Sequence, residues 1–240
     1  MNSDMSSLLC IAALLAMTAT DPATRPAVRI ALVGDSTVTG SAGWGTGFAS
    51  CWGGGVEVLN FARGGRSSKS YRDEGHWDQH ARPSGADYVL IQFGHNDQPG
   101  KGPERETDPA TTFRDNLRRY VAEARAAGMK PVLVTSLVRR KFDTDGRIRS
   151  DLAAYADATT VVAAETGTPL IDLHALSIDA CNKLGLAGCE AISAAPKQPG
   201  TIDTTHLNAR GSELFGRIVA DELCRVVPQL AVYRIATEQK

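Results

Sequence analysis

The sequence predicts an α/β protein of three layers, α/β/α, in which a doubly wound sheet of about five parallel strands carries helices on both faces. Two observations support this fold class. Short apolar runs alternate with longer amphipathic segments along the chain, and neither an internal repeat nor a low-complexity linker interrupts the order. Such alternation is typical of parallel strands joined by right-handed helical crossovers. Residues 28–240 are therefore predicted to form one domain.

Five apolar runs predict the strands. They are rich in aliphatic residues, as buried strands of parallel sheets are, and the first three stop at turns that contain Gly. Because the carboxyl ends of parallel strands meet at one rim, where ligands bind in such sheets, we expect these turns to lie together. The predicted strands are residues 28–33, 56–61, 87–93, 131–137 and 169–173.

Amphipathic periodicity predicts three long helices. The first starts with Asp108 as N-cap and Pro109 at its first position, and ends at Gly128. The others cover residues 150–166 and 209–224. The predicted inward-facing residues are Phe113, Leu117, Tyr120, Val121 and Ala124, then Leu152, Tyr155, Ala156, Thr159 and Ala163, then Leu214, Phe215, Ile218, Val219 and Leu223.

The composition is that of a globular chain with a sizeable core. Of its 240 residues, 42% are hydrophobic and 22% charged, which excludes disordered and collagen-like classes. A net charge of −1 gives no overall field to attract nucleic acid or an anionic membrane, so we expect neither as a partner. No two cysteines stand at a Cys-x-x-Cys spacing, and we expect no metal and no cofactor.

Residues 1–20 are similar to a signal peptide. The apolar block at residues 8–17 is long enough for the core of a signal peptide and too short to span a bilayer. The segment before it contains Asp4 and no Lys or Arg, whereas signal peptides normally begin with positive charge. We expect a secreted or periplasmic protein, with residues 21–27 as a lead-in and no membrane attachment after removal of the leader.

A serine, an aspartate and a histidine are candidates for nucleophilic catalysis. Ser36 follows the first strand, and Asp203 precedes His206 by three residues in the last connection before the final helix. A serine hydroxyl needs a base to accept its proton and a carboxylate to orient that base, and both loops are predicted at the same rim. The alternative for Ser36 is an ordinary Gly-Asp-Ser turn. Neither Gly-rich loop has the spacing of a phosphate-binding motif.

Four short motifs together resemble the SGNH (GDSL-like) hydrolases. They occur in the order of that family: Gly-Asp-Ser-Thr at residues 34–37, Gly-Gly-Arg-Ser at 64–67, Gly-His-Asn-Asp at 94–97 and Asp-Thr-Thr-His at 203–206. Within the superfamily the chain is most similar to the rhamnogalacturonan acetylesterases. The first motif ends in Thr rather than Leu, a Gly-Trp-Gly segment follows it, and Ser-Tyr follows the second motif. The resemblance implies the flavodoxin-like sheet of that superfamily.

The resemblance also implies a serine esterase that removes acetyl groups through an acyl-enzyme. It assigns Ser36 as nucleophile, His206 as general base and acid, and Asp203 as the carboxylate that orients it. The N–H groups of Ser36 and Gly65 and the side-chain amide of Asn96 are implied as the oxyanion hole. The implied partner is an acetylated plant cell-wall polysaccharide or oligosaccharide, most of all rhamnogalacturonan, and a monomer is favoured.

Three residues are candidate substrate contacts. Trp44 is either a platform on which a sugar stacks or a lid over the core. Arg66 and Arg140 belong to a set of cations that could form a basic groove for galacturonate carboxylates. The alternative is that these side chains point into solvent. The other members of the set are Lys69, Arg72, Arg139 and Lys141.

The cysteines fit two disulfide bonds in an exported protein. Cys10 lies in the predicted leader, and four cysteines remain after its removal. Cys181 and Cys189 enclose the shortest loop, which leaves Cys51 to pair with Cys224. The alternative is four buried thiols in a cytosolic protein.

Other functions share part of this pattern. An acetylxylan esterase is one alternative, and a lipase or thioesterase of the same superfamily, which needs an apolar groove, gains little support from an aromatic content of 6%. A non-catalytic carbohydrate-binding protein has no need of the complete set of triad and oxyanion-hole residues. Hydrolysis of p-nitrophenyl acetate and of longer acyl esters separates these classes.

Overall fold

The five predicted strands form one parallel sheet. The computed structural model describes residues 27–196 and 198–235, and the predicted signal peptide lies outside this part of the chain. The predicted doubly wound sheet with helices on both faces is confirmed. The strands are β1 (Val28–Gly34), β2 (Val56–Asn60), β3 (Tyr88–Gln92), β4 (Lys130–Val134) and β5 (Leu170–Ile171), in the order β2-β1-β3-β4-β5.

The order in which the strands are added to the sheet reverses at β1: β2 lies on one side of it, and β3, β4 and β5 follow on the other. β1 pairs in parallel with β2 on one side, where Val28 faces Val56, and with β3 on the other, where Ile30 faces Tyr88. The connections that follow β1 and β3 therefore diverge at the carboxyl ends of these neighbouring strands. Ligands bind at such a switch point in open α/β sheets.

Two helical layers cover the sheet. The helices are α1 (Gly45–Ala49), α2 (Ser70–Asp73), α3 (Thr112–Ala126), α4 (Ala153–Thr166), α5 (Leu173–Ala191) and α6 (Ala209–Val226), with a π-helical turn at Trp77–Ala81 and 3₁₀ turns at Arg82–Ser84 and Pro228–Tyr233. Because successive side chains of a strand point to opposite faces, Ile30 and Leu32 pack against α1, α5 and α6, whereas Ala31 and Val33 pack against α2, α3 and α4. Among the residues described, no helix has both the length and the apolar character needed to cross a membrane.

The predicted start of the first long helix is wrong. α3 begins at Thr112 rather than Pro109, because the Asp108 carboxylate accepts the Ala110 N–H at 2.6 Å and closes a separate turn before the helix. The predicted inward faces of α3 and α4 are confirmed, since all of those side chains are buried. In α6 two of the predicted inward residues, Leu214 and Ile218, are only half-buried.

α5 was not predicted from the sequence. It occupies the segment that holds Cys181 and Cys189, and its first turn is capped by Asp172, whose carboxylate accepts the Ala175 N–H at 3.2 Å. Gly185 interrupts it with a φ of 66°, a conformation that residues with a side chain rarely adopt. This break hides the helical periodicity on which the prediction depends.

Candidate active site

β1 brings Ser36 to the switch point. Gly34 ends the strand where a Cβ atom would lie 2.5 Å from the Gln92 carbonyl oxygen, so only glycine allows this approach to β3. The buried Asp35 carboxylate then accepts the N–H and the hydroxyl of Thr37 at 2.9 and 2.7 Å. This turn leaves Ser36 half-buried, with its Oγ 2.9 Å from Nε2 of His206.

The loop before α6 presents His206 to that serine. Asp203 Oδ2 lies 2.8 Å from His206 Nδ1, while Oδ1 accepts the N–H groups of Thr205 and His206 at 2.9 and 2.8 Å. Burial raises the pKa of Asp203, but the hydrogen bonds and charge of His206 and the N–H of Thr205 outweigh it and lower the pKa overall. Asp203 is therefore an anion at neutral pH that keeps Nδ1 protonated and Nε2 free to accept a proton.

Three hydrogen-bond donors lie at the ends of β1, β2 and β3. Gly65 has a φ of 78°, which favours glycine, and a Cβ on Gly64 would lie 3.6 Å from that of Ser36. Within the described chain, the N–H groups of Ser36 and Gly65 have no hydrogen-bond partner. The Asn96 side-chain amide donates one hydrogen bond to the Arg66 carbonyl at 3.1 Å and keeps a second N–H. Free donors beside a serine are what a developing oxyanion requires.

His95 has an electrostatic partner that the sequence did not suggest. Its Nδ1 lies 3.4 Å from Oδ2 of Asp35, and both side chains are buried. Burial raises the pKa of Asp35, yet His95 and Thr37 together lower it below its ordinary value. The pair joins the residue before Ser36 to the residue before Asn96.

Comparison with known proteins identifies the family of this chain. Residues 32–214 match the GDSL-like lipase/acylhydrolase family. The chain belongs to this family. A rhamnogalacturonan acetylesterase of Bacillus subtilis (strain 168) is 35% identical over 228 residues, which cover 89% of this chain and 97% of the relative. A rhamnogalacturonan acetylesterase of Emericella nidulans is 29% identical over 221 residues, covering 84% and 85%.

The fold comparison agrees with the family assignment. A solved Bacillus subtilis protein superposes on this GDSL-like hydrolase with a TM-score of 0.72 and 26% identity. The match covers 85% of this chain and 57% of the other, so the hydrolase spans little more than half the length of that protein. The resemblance predicted from the four motifs is confirmed, and the chain is an ester-hydrolysing enzyme.

Of the two alternatives for the candidate substrate contact Trp44, the platform on which a sugar stacks is wrong. Its side chain is 0% exposed, its indole N–H donates to Gln92 Oε1 at 3.0 Å, and it packs edge-on against Phe48. A ring without exposed surface cannot hold a ligand, so the alternative of a lid over the core is the correct one.

The prediction that Arg140 contacts substrate is also wrong. The residue is 3% exposed, and its guanidinium donates to the carbonyl oxygens of Asp203 and His206 at 2.9 and 2.6 Å. Further bonds reach the Thr205 carbonyl at 3.3 Å and Ser193 Oγ at 3.1 Å. The backbone N–H of Arg140 donates to the Thr204 carbonyl at 2.8 Å. Arg140 therefore holds the loop that carries Asp203 and His206.

The predicted basic groove is absent from the described residues. Five of its six cations are paired with carboxylates, and Arg140 bonds the carbonyls described above. The pairs are Arg66 with Glu74, Lys69 with Asp73, Arg72 with Glu123, and both Arg139 and Lys141 with Asp151. Arg72 and Arg139 are buried as well. Arg66 directly follows Gly65 and keeps its side chain 41% exposed, and Lys69 is exposed to a similar degree.

The four remaining cysteines are thiols in the structure, so neither predicted disulfide is present. The Cys189 thiol donates to the Cys181 carbonyl oxygen at 3.7 Å, which places the two residues side by side. Among the residues described, no group of three or more His, Cys, Asp or Glu is arranged to hold a metal ion.

Proposed function

We propose that this GDSL-like hydrolase is an exported acetylesterase that removes acetyl groups from a plant cell-wall polysaccharide, most of all rhamnogalacturonan. One observation carries the choice of substrate: the 35% identity to the Bacillus subtilis rhamnogalacturonan acetylesterase, which extends over 97% of that relative. The triad geometry supports the chemistry but is common to esterases with other substrates.

The proposed reaction begins with acylation of Ser36. His206 Nε2, 2.9 Å from Ser36 Oγ, takes the hydroxyl proton as Oγ attacks the acetyl carbonyl carbon. The N–H groups of Ser36 and Gly65 and the Asn96 amide stabilise the oxyanion that forms. When the tetrahedral intermediate collapses, the ester C–O bond breaks and His206 gives its proton to the leaving sugar oxygen. Acetyl-Ser36 remains.

Deacylation repeats these steps with water. His206 takes a proton from a water molecule, whose oxygen attacks the acetyl carbon of acetyl-Ser36. The second tetrahedral intermediate uses the same oxyanion donors. Its collapse releases acetate and returns the proton to Ser36 Oγ. Asp203 stays ionised throughout, orients the ring and stabilises the imidazolium that forms in each half-reaction.

The surface beside the triad supports a sugar rather than a lipid substrate. A cleft of about 320 Å³ borders Asp203 and His206. Hydroxyl and amide groups dominate the rest of its lining, which consists of Gln198, Thr201, Ile202, Thr204 and Thr205. A long acyl chain requires an apolar groove, whereas sugar hydroxyls pair with such polar groups.

The experiment that tests this proposal is acetate release from acetylated rhamnogalacturonan, acetylated xylan and acetylated homogalacturonan. We expect the highest kcat/KM on rhamnogalacturonan and no release by the Ser36→Ala variant. A preference for xylan would replace the proposed substrate and keep the chemistry. A preference for long-chain p-nitrophenyl esters over the acetate would favour a lipase or thioesterase, and no hydrolysis of any ester would favour a binding protein.

Export is part of the proposal and has its own test. Fractionation of producing cells, followed by N-terminal sequencing, should give mature protein outside the cytoplasm that starts near residue 21. In that compartment we expect Cys181 to be joined to Cys189 and Cys51 to Cys224, because oxidising surroundings favour disulfides. Free thiols in cytoplasmic protein would argue against both. We expect a monomer by size-exclusion chromatography.

A further inference from the structure

One buried carboxylate joins the two loops that carry the proposed oxyanion donors Gly65 and Asn96. Asp97 is fully buried and directly follows Asn96. Its Oδ1 accepts the N–H and the hydroxyl of Ser68 at 3.0 and 2.5 Å, and its Oδ2 accepts the Gly94 N–H at 3.1 Å. A single side chain thus bonds the segment after β2 and the segment after β3.

Residues outside the two loops also bond to Asp97 and its partners. Oδ1 also accepts the Thr107 hydroxyl at 2.9 Å, and the Thr107 N–H donates to the Asp97 carbonyl at 2.9 Å. The Tyr155 hydroxyl bonds the Asp97 and Thr107 carbonyls at 2.9 and 2.8 Å. On the side of Ser68, the Asn116 amide donates to its Oγ at 3.1 Å. Each partner of the carboxylate is itself held in place.

This carboxylate is unfavourable for the stability of the fold. Burial, with a smaller contribution from the nearby Asp35, raises the pKa of Asp97 to about 7 although the hydrogen bonds of Ser68 and Thr107 oppose the shift. The other titratable groups that face Asp97 are Tyr120 and Tyr155. Both are neutral near pH 7, because burial raises the pKa of each. A buried anion without a cationic partner is rarely kept for stability alone.

We propose that Asp97 is a positioning residue that fixes the spacing between the oxyanion donors Gly65 and Asn96. The bond from the Asn96 amide to the Arg66 carbonyl, 3.1 Å, spans the same two loops and depends on the same spacing. The inference rests on the oxyanion hole of the proposed mechanism, and it extends that mechanism to a residue which does not touch substrate.

The first test compares Asp97→Asn with wild type on p-nitrophenyl acetate. The amide keeps the shape of the carboxylate but turns a donor toward one side of the network. We expect kcat to fall about 10- to 100-fold while KM changes less than about threefold, because misplacement of transition-state donors mainly affects kcat. Asp108→Asn is the matched control, since that carboxylate also accepts a backbone N–H but bonds only its own turn; its kcat should not change.

The second test is a double-mutant cycle with Asn96→Ala. If Asp97 acts through the oxyanion hole, Asp97→Asn should cost less than about twofold more in kcat once Asn96 is removed. Multiplicative losses in the double variant would show that Asp97 supports the fold only, and would overturn the proposal. Ser68→Ala keeps the backbone bond to Asp97 and removes the two bonds of the Ser68 hydroxyl, to Asp97 and from the Asn116 amide. It should lower kcat about three- to tenfold, which keeps the proposal testable if Asp97→Asn does not fold.

The failures of the two proposals differ. Full activity in Ser36→Ala and Asn96→Ala would refute the proposed mechanism, and the role of Asp97 with it. Loss of activity in those two variants with unchanged kcat in Asp97→Asn and Ser68→Ala would refute the positioning role alone.

Discussion

The two halves of the proposed active site are held in different ways. Ser36 and Asn96 follow β1 and β3, neighbouring strands paired from Ile30–Tyr88 to Gly34–Gln92, so the ladder of the sheet fixes their positions. Asp203 and His206 belong to a loop that follows no strand. Side chains and single backbone bonds fix that loop instead. One half of the proposed site therefore takes its geometry from the sheet, whereas the other half depends on tertiary contacts.

Arg140 donates several hydrogen bonds to that loop. Its guanidinium has no carboxylate partner within 4.0 Å in the described chain, and it bonds the carbonyl oxygens of the 203–206 loop and Ser193 Oγ instead. A further backbone bond runs from the Leu207 N–H to the Ala42 carbonyl at 2.9 Å, which ties the same loop to the segment after Ser36. The acid–base half should therefore be the half that a remote substitution can disturb.

The largest effect is expected at the nucleophile itself. Ser36→Ala should lower kcat by roughly 10⁴- to 10⁶-fold, because no other group can form the acyl-enzyme, and should leave the melting temperature nearly unchanged. Ser41→Ala, an exposed serine of the same connection, is the control and should keep full activity. Kinetics on p-nitrophenyl acetate and a thermal scan check both; comparable turnover in Ser36→Ala would rule out the nucleophile.

Substitution of Arg140 should have a smaller effect, which is on both stability and kcat. Arg140→Ala leaves buried carbonyls of the Asp203 loop without donors, so we expect a loss of about 2–4 kcal/mol in the free energy of unfolding. As His206 loses its fixed position, kcat should fall about 10- to 100-fold. Arg140→Lys should restore little, because an ammonium cannot span several carbonyls in one plane.

The neighbouring Lys141→Ala serves as the control for Arg140. Lys141 is exposed and pairs with Asp151, so its loss should cost under about 1 kcal/mol and leave kcat unchanged. Denaturant unfolding and steady-state kinetics measure the two quantities. Equal losses of stability and of kcat in the Arg140 and Lys141 variants would show that Arg140 does not hold the loop of Asp203 and His206.

The next effect is the pH dependence of stability that Asp97 produces in the half of the site that the sheet holds. With a folded pKa of about 7 against an ordinary 3.8, Asp97 binds its proton more tightly in the folded state. Its contribution to stability is therefore present below about pH 4 and is lost as the pH rises through 7. Asp97→Asn cannot titrate, so its melting temperature relative to wild type should rise between pH 4 and pH 8. A constant difference across that range would contradict the shifted pKa.

The smallest effect is expected at Arg66. The Arg66 Nε–H donates to Glu74 at 2.8 Å, so the carboxylate of Glu74 weakens the positive field that Arg66 presents to an acidic polymer. Arg66→Ala should raise KM on acetylated rhamnogalacturonan about two- to fivefold at low salt and leave p-nitrophenyl acetate hydrolysis unchanged. Lys69→Ala, which removes a cation paired with Asp73, is the matched control. No change in KM would exclude Arg66 as a substrate contact.

The sequence could predict what depends on local pattern. Strand runs that end in Gly-rich turns placed Ser36 and Asn96 at one rim, and helical spacing identified the buried faces of α3 and α4. The last connection before α6 brought Asp203 and His206 to the same place. These features follow from periodicity and from the geometry of parallel sheets, and both can be seen along the chain.

The rest depends on partners far away in the chain. The Arg-Arg-Lys run at 139–141 is typical of a solvated turn, and nothing near it shows that Arg140 meets carbonyls more than sixty residues later. The sequence leaves Trp44 ambiguous because its partner, Gln92, lies at the end of β3, 48 residues later. The sequence does not predict α5, because Gly185 breaks its periodicity, and it gives Asp97 no role, because that role depends on burial.

The most direct test of the proposed mechanism is to trap the acyl-enzyme. In that mechanism Ser36, activated by His206 and Asp203, carries the acetyl group. Wild-type protein mixed with p-nitrophenyl acetate and quenched in acid within milliseconds should carry one acetyl group on the tryptic peptide of residues 30–63, at Ser36 by fragmentation. Arg140→Ala should acquire the label about 10- to 100-fold more slowly, and Ser36→Ala should not acquire it. Hydrolysis without a label on Ser36, or with the label on another residue, would contradict the account.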